Sequence, residues 1–214
     1  MRLPMGFLLE IGLSDDQIAR WRAKRKGGRC AATAPKEPKS CHPCFSRHTE
    51  PRRDALKLDD FADREPGFVL EAFFSGTLRG WGVTIGRLGG FQNRFTIDAR
   101  GRFDASAQVL SLTEDYFFDD GHSDTLTWTI LKRGANRYEG RETLIDGVAE
   151  GEQAGSAFRW QYARDVPQAD GSKTRFGFDD WFILHDERHM SVHASLTKLG
   201  VEVATLEAFY ERVG

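Results

Sequence analysis

Between residues 78 and 212 apolar and polar side chains alternate in segments of about ten residues, separated by clusters of Gly, Asp and Asn. Alternation with period two sets one series of side chains on one face of a strand, and the clusters supply turns. The segments are 78–85, 91–98, 110–118, 125–132, 138–148, 157–163, 175–184, 190–197 and 201–212. Asp120-Gly121 and Asp170-Gly171 suit hairpin turns, where both central residues can take positive φ. No long helical period interrupts the run. The pattern predicts an all-β body, a single antiparallel up-and-down barrel from about residue 68 to 212, because closure removes the exposed edges of eight or more strands.

The alternation also assigns faces. Leu110, Leu112, Tyr116 and Phe118 share a phase that includes Glu114. Phe176, Phe178, Phe182 and Leu184 share another, which includes Asp180. Phe158, Trp160 and Tyr162 form a third set, and Leu126, Trp128 and Ile130 a fourth. Two carboxyls therefore point among apolar side chains, which is costly unless each is paired or hydrogen-bonded. Arg94, Arg159 and Lys198 are the expected partners. An ion pair with Arg94 or Lys198 is preferred to the alternative, a general acid/base pair of Glu114 and Asp180, which requires that burial raise one pKa. Trp128, Trp160 and Trp181 are expected to pack the core; in a roomy barrel such residues also line a ligand.

Charge divides the chain in two. Residues 1–57 hold 13 Lys+Arg against 6 Asp+Glu, and residues 58–214 hold 17 against 26. An acidic body argues against nucleic acid as a partner, since phosphate binding needs clustered Lys and Arg. No apolar run approaches the roughly 18 residues of a spanning helix. Residues 29–57 are rich in Pro, Lys, Arg and Ser and carry almost no aliphatic side chains, so residues 1–57 are expected to be a disordered or mis-assigned extension ahead of a 58–214 domain. Cys30, Cys41, Cys44 and His48 include the two-residue gap of zinc sites, but no second such pair and no hydrophobic segment accompany them, so no metal is expected. His185, His189 and His193 recur every four residues, yet Asp186-Glu187-Arg188 marks a turn, so the three are expected to scatter. No nucleophile elbow, phosphate loop or dinucleotide fingerprint is present, and no cofactor is expected.

Certain motifs, in order, resemble a bacterial family of lipocalin-like domains of unknown function. They are Phe73-Phe74-Ser75-Gly76, Gly80-Trp81-Gly82, Arg94-Phe95, Leu112-Thr113-Glu114, Asp120-Gly121 and Tyr138-Glu139-Gly140. Gly147, Gly151, Gly155, Trp160, Tyr162, Asp179-Asp180-Trp181 and Lys198-Leu199-Gly200 continue the series, and together they cover residues 68–212. Ser156, Val192-His193 and Leu199 depart from the family pattern. The resemblance implies a calycin-type barrel with Trp81 as its closed-end plug and Lys198 over that indole as a cation–π contact. It also implies an envelope protein, often a lipoprotein, encoded beside enzymes that modify fatty acyl chains. A leaderless Pro/Arg-rich front ahead of such a body suggests a mis-assigned start. The expected function is a non-catalytic, monomeric module that binds a lipid-like or other apolar small molecule through Trp81, Arg94, Glu114, Trp128, Trp160, Tyr162, Asp180 and Lys198. The alternative is an enzyme acting on such a ligand with Glu114 and Asp180.

Overall fold

The computed structural model describes residues 55–168 and 170–213. The expectations for the front segment, its disorder and the set Cys30, Cys41, Cys44 and His48, lie outside the described residues. Among the described residues ten strands follow one another: β1 Gly76–Gly86, β2 Phe91–Asp104, β3 Val109–Phe118, β4 Ser123–Lys132, β5 Arg137–Arg141, β6 Ala149–Ala154, β7 Ala157–Pro167, β8 Lys173–Leu184, β9 His189–Lys198 and β10 Val201–Arg212. Each strand pairs with its neighbour in sequence, and β1 pairs antiparallel with β10, so the sheet is a closed up-and-down barrel.

The 138–148 segment is not one strand. β5 stops at Arg141, and residues 144–146 run beside β7, with Asp146 N–H on Ala163 O at 3.1 Å and Asp165 N–H on Leu144 O at 3.0 Å. A tenth strand, β6, follows. Its inward positions are Ala149 and Gly151, whose side chains leave no hydrophobic alternation to read. The missing volume is supplied by the neighbouring strand β7, whose Trp160 ring lies over β6 and β5, since a Cβ at Gly151 or Gly140 would overlap it. Gly151→Ala is therefore expected to destabilise by about 1–3 kcal/mol through overpacking. Gly90→Ala, which meets only open space, is the control that should leave the thermal melt unchanged.

One end of the barrel is plugged. A five-residue helix, α1 (Leu70–Phe74), buries Leu70, Phe73 and Phe74, and Phe68 precedes it. Phe68 stacks on Phe158 at 5.8 Å, and Phe74 meets the edges of Phe182 at 6.1 Å and Tyr210 at 6.0 Å. Helices this short are not stable alone. This one is stapled to the wall: Glu71 takes Lys132 and the Tyr138 hydroxyl (2.8 Å), and Arg212 donates to the Phe73 carbonyl at 3.2 Å. Ahead of α1 a 3-10 turn, Leu58–Phe61, lies on the outside of the wall and packs Phe61 against Trp181 at 6.1 Å. Trp181 is thus buried, but beneath this strap and not in the lumen.

Candidate functional site

On β3, β8 and β9 inward side chains are mostly buried near the plug and partly exposed further up, while Phe95 on β2 and Ala204 on β10 stay buried at the upper level. On β3 Leu110, Leu112 and Glu114 are buried, and Tyr116 and Phe118 are half-buried. On β9 Met190, Val192 and Ala194 give way to half-buried Leu196 and Lys198. On β8 Asp180 is buried and Phe178 and Phe176 are half-buried; on β1 the change falls between Gly80 and Gly82. An inward side chain of a closed barrel reaches water only through the lumen. Several inward side chains of the upper half therefore keep partial access to water, and Glu114 and Asp180 sit just below them, at the floor of that level.

Glu114 is 7% exposed. Tyr210 donates its hydroxyl proton to Glu114 Oε1 at 2.7 Å, and the Trp128 indole also donates to this carboxyl. Tyr210 has one proton to give, so at the 3.3 Å contact with Tyr116 it accepts and Tyr116 donates. A chain Tyr116–Tyr210–Glu114 crosses the lumen from β3 to β10 and back. Burial pushes the Glu114 pKa up to about 7, against the pull of the Tyr210 and Trp128 hydrogen bonds.

Asp180 is also 7% exposed. The Tyr162 hydroxyl donates to its Oδ2 at 3.0 Å, while its Oδ1 is buried without a hydrogen-bond partner. Burial, with the charges of Asp179 and Glu114, pushes its pKa up to about 8. Aromatic rings surround this level. Tyr162 stacks on Phe178 at 4.8 Å and meets the edge of Trp128 at 5.2 Å, and Trp128 meets Trp160 at 5.6 Å.

The expected ion pairs do not form. Arg94 lies outside the barrel, its side chain 72% exposed and 3.7 Å from Asp119. Arg159 forks onto Asp179 at 2.7 and 2.6 Å, also outside, and lies over Trp181 at 5.2 Å. Both alternate with inward neighbours, Phe95 and the pair Phe158 and Trp160, and so face the other way. Lys198 ends β9 on the inward phase at the mouth, above the floor. The guanidinium that does enter the wall is Arg164. It forks onto Asp124 at 2.6 and 3.1 Å and reaches Glu142 at 3.2 Å. This triad spans the level at which β5 and β6 have ended, tying β4 to β7 where two strands are missing. Its charge is thereby matched before it reaches Glu114.

Trp81 is not the plug. It is 46% exposed on the outer face and packs on Phe209 at 5.4 Å. Leu78, Gly80 and Gly82 take the inward phase of β1, so Trp81 between the glycines must point out. Through Phe209 its register partner on β9 is Ser191, seven residues from Lys198, or about 23 Å along a strand. No cation–π contact joins them; Phe68, Phe73 and Phe74 close that end instead. The histidines do not scatter fully either: His185 and His189 both lie against Phe209, at 6.4 and 5.7 Å, because Asp186-Glu187-Arg188 is a tight hairpin turn. His193 pairs with Glu207 at 2.6 Å on the outer face. Among the described residues no group of three or more His, Cys, Asp or Glu is placed to hold a metal, and no helix is long and apolar enough to cross a membrane.

The floor thus joins Glu114, Asp180, Trp128, Trp160 and Tyr162, and leaves Trp81 and Arg94 outside. Sequence reasoning missed Tyr210, Arg164 and Asp124. Each carries the signal that placed its neighbours inward: Arg164 continues Phe158, Trp160 and Tyr162, and Asp124 continues Leu126, Trp128 and Ile130.

An antiparallel up-and-down wall around an inward aromatic and carboxyl cluster, plugged at one end, defines a lipocalin-like barrel of calycin type. A family model described as "Protein of unknown function (DUF3833)" matches residues 53–212, and the chain belongs to that family. No curated protein matches the sequence. Among solved structures the chain is similar to an S-type phycobiliprotein lyase from Guillardia theta, at 9% identity and a TM-score of 0.48 over 74% of this chain and 94% of that one. It is similar to a protein of unknown function from the DUF3598 family of Nostoc punctiforme, at 16% identity and a TM-score of 0.49, covering 69% of this chain and 50% of that one. It is similar also to Rv2717c from M. tuberculosis, at 14% identity and a TM-score of 0.48, over 66% of this chain and 94% of that one.

Proposed function

We propose that the protein is a non-catalytic binding module that holds an apolar, lipid-like small molecule in the upper half of the barrel, its polar end at the floor. The observation that carries this reading is the partial exposure of inward Phe118, Phe176, Phe178 and Leu196 above a buried floor. Concave sites lined by aromatic and aliphatic side chains with a few convergent polar groups are the usual form of small-molecule pockets. Here those groups are the carboxyls of Glu114 and Asp180 and the hydroxyls of Tyr116, Tyr162 and Tyr210. At the mouth Leu88 and Leu199 stand almost fully exposed, on hairpin turns joined by the Arg87 N–H to Val203 O hydrogen bond, and form an apolar lip. A place in envelope lipid metabolism follows from the family resemblance alone.

The test is titration with the neutral apolar fluorophore N-phenyl-1-naphthylamine. Saturable binding of one molecule per chain is expected, with quenching of Trp128 and Trp160. Leu196→Trp, which adds a ring where the chamber has room, should abolish binding while the melt stays near that of the parent. Binding that does not saturate, or that survives Leu196→Trp, contradicts the reading.

A second reading, an enzyme acting on the same ligand, is favoured by one pair of facts. Burial pushes the Asp180 pKa up to about 8 and that of Glu114 up to about 7, and Asp180 Oδ1 has no hydrogen-bond partner. Raised values of this kind suit a general acid and a general base. Glu114→Gln separates the two readings: a binder keeps its affinity for the fluorophore and has no turnover to lose.

A further inference from the structure

We propose that the ligand carries a positively charged nitrogen, an amine or ammonium head group, which sits at the floor of the barrel between Glu114 and Asp180. This rests on the barrel being a binding site and names the chemistry of what it binds.

Charge balance is the first argument. Among the described residues four carboxyls belong to the lumen and its wall at this level: Glu114, Asp180, Asp124 and Glu142. One guanidinium, Arg164, stands against them, and Asp124 and Glu142 take all its directed hydrogen bonds. Among the described residues nothing basic hydrogen-bonds to Glu114 or Asp180. Tyrosine hydroxyls and an indole support them, and such neutral donors do not balance charge. Buried carboxyls are ordinarily paired with cations or neutralised. In the unoccupied protein protons supply the neutralisation, and a bound cation replaces them.

The second argument is the orphaned oxygen. Oδ1 of Asp180 is buried and unpartnered although Oδ2 of the same carboxyl accepts from Tyr162. Buried polar atoms without partners are rare in folded proteins, and an ion held at that atom is one recognised explanation. An ammonium has several protons to donate and no lone pair to satisfy. It can give one to Asp180 Oδ1 and another to Glu114 without leaving a new orphan.

The third argument is the aromatic surround. The rings of Trp128, Tyr162 and Phe178 stand at the level of Asp180, two of them stacked within 4.8 Å. Aromatic faces attract cations, most strongly where water is excluded. A carboxylate or phosphate head group would meet four acids and a spoken-for arginine, so the same site rejects anionic amphiphiles.

The groups facing each carboxyl bear on the proton count. Glu114 faces Tyr210, Trp128 and the field of Arg164; Asp180 faces Tyr162, Asp179 and Glu114. Burial raises the proton affinity of both carboxyls, so binding of a cation between them is coupled to proton release, which is measurable.

The experiment compares dodecylammonium, 1-dodecanol and dodecanoate on the full chain at pH 7. Affinities are read by displacement of N-phenyl-1-naphthylamine, and proton release by calorimetry in buffers of different ionisation enthalpy. Dodecylammonium is expected to bind at least tenfold more tightly than dodecanol, dodecanoate more weakly than either, and the amine alone to release protons. The Asp180→Asn/Glu114→Gln double variant should lose the preference for the amine over dodecanol and the proton release, and its thermal melt reports that the barrel is folded. Equal or tighter binding of dodecanol or dodecanoate overturns the head-group assignment and leaves the binding site intact. If no amphiphile displaces the fluorophore, or all bind equally to Leu196→Trp, the binding site itself is wrong and the head group falls with it.

Discussion

Replacing Arg164 by methionine is expected to lower stability by about 3–5 kcal/mol, the cost of leaving buried charges without their partner. The Arg164 and Glu142 side chains are each 3% exposed and that of Asp124 is 12% exposed, so water cannot take over the role of the guanidinium. The triad also closes the one level at which β5 and β6 do not reach, and its loss should loosen the 142–148 segment against β7. Chemical denaturation should report a reduced midpoint, and hydrogen exchange should rise first at Leu144, Ile145 and Asp146. Removing all three charges together, as Arg164→Met with Asp124→Asn and Glu142→Gln, should recover much of the loss, since what destabilises is the unpaired carboxyls. A single variant within 1 kcal/mol of the parent would show that the triad does not hold the wall.

The second large effect is on pH. Glu114 and Asp180 have folded pKa values of about 7 and about 8, above ordinary values of 4.5 and 3.8. In the window between, the folded state binds more protons than the unfolded state, so the stability of the unfolding reaction falls as pH rises. Their contribution is fully present below about pH 4 and is lost as pH passes through 7 and 8. Carboxyls held below their ordinary range, among them Glu71, Asp104 and Asp186, act in the opposite sense but only in the acid limb. The expected profile therefore declines from pH 5 to pH 8, by at most about 1.4 kcal/mol per pH unit for each of the two carboxyls. Glu114→Gln with Asp180→Asn should flatten it and make the protein more stable than the parent at pH 8. A parent profile that rises across the same window would mean that the two carboxyls are ionised and matched in the folded state.

The barrel was legible because its strands alternate strongly wherever inward side chains are large. β6 was not, for a physical reason: the Trp160 indole fills the space on its inner side, so Ala149 and Gly151 leave the alternation with nothing to display. Trp81 was placed as the plug by resemblance and not by phase. Glycines hold the inward phase of β1, so the visible apolar residues of that strand, Trp81, Val83 and Ile85, are on its outer face. The plug helix has five residues, too few to show a helical period. Glu114 and Asp180 were found because each interrupts a run of inward aromatic or aliphatic residues. Their partners were sought among arginines and lysines by charge, and phase would have excluded Arg94 and Arg159, which alternate with inward neighbours. Tyr210 could not be assigned to Glu114 from sequence, since that contact depends on how far β10 rotates against β3 across the lumen, 96 residues apart.

The most direct test of the central claim, that the upper barrel is a ligand chamber, is native mass spectrometry of the full chain purified without detergent from cells that express it, followed by organic extraction. The expected result is a 1:1 complex with a small apolar molecule, released on denaturation and missing from Leu196→Trp. A parent protein that carries only its own mass, or an adduct retained equally by Leu196→Trp, would contradict it.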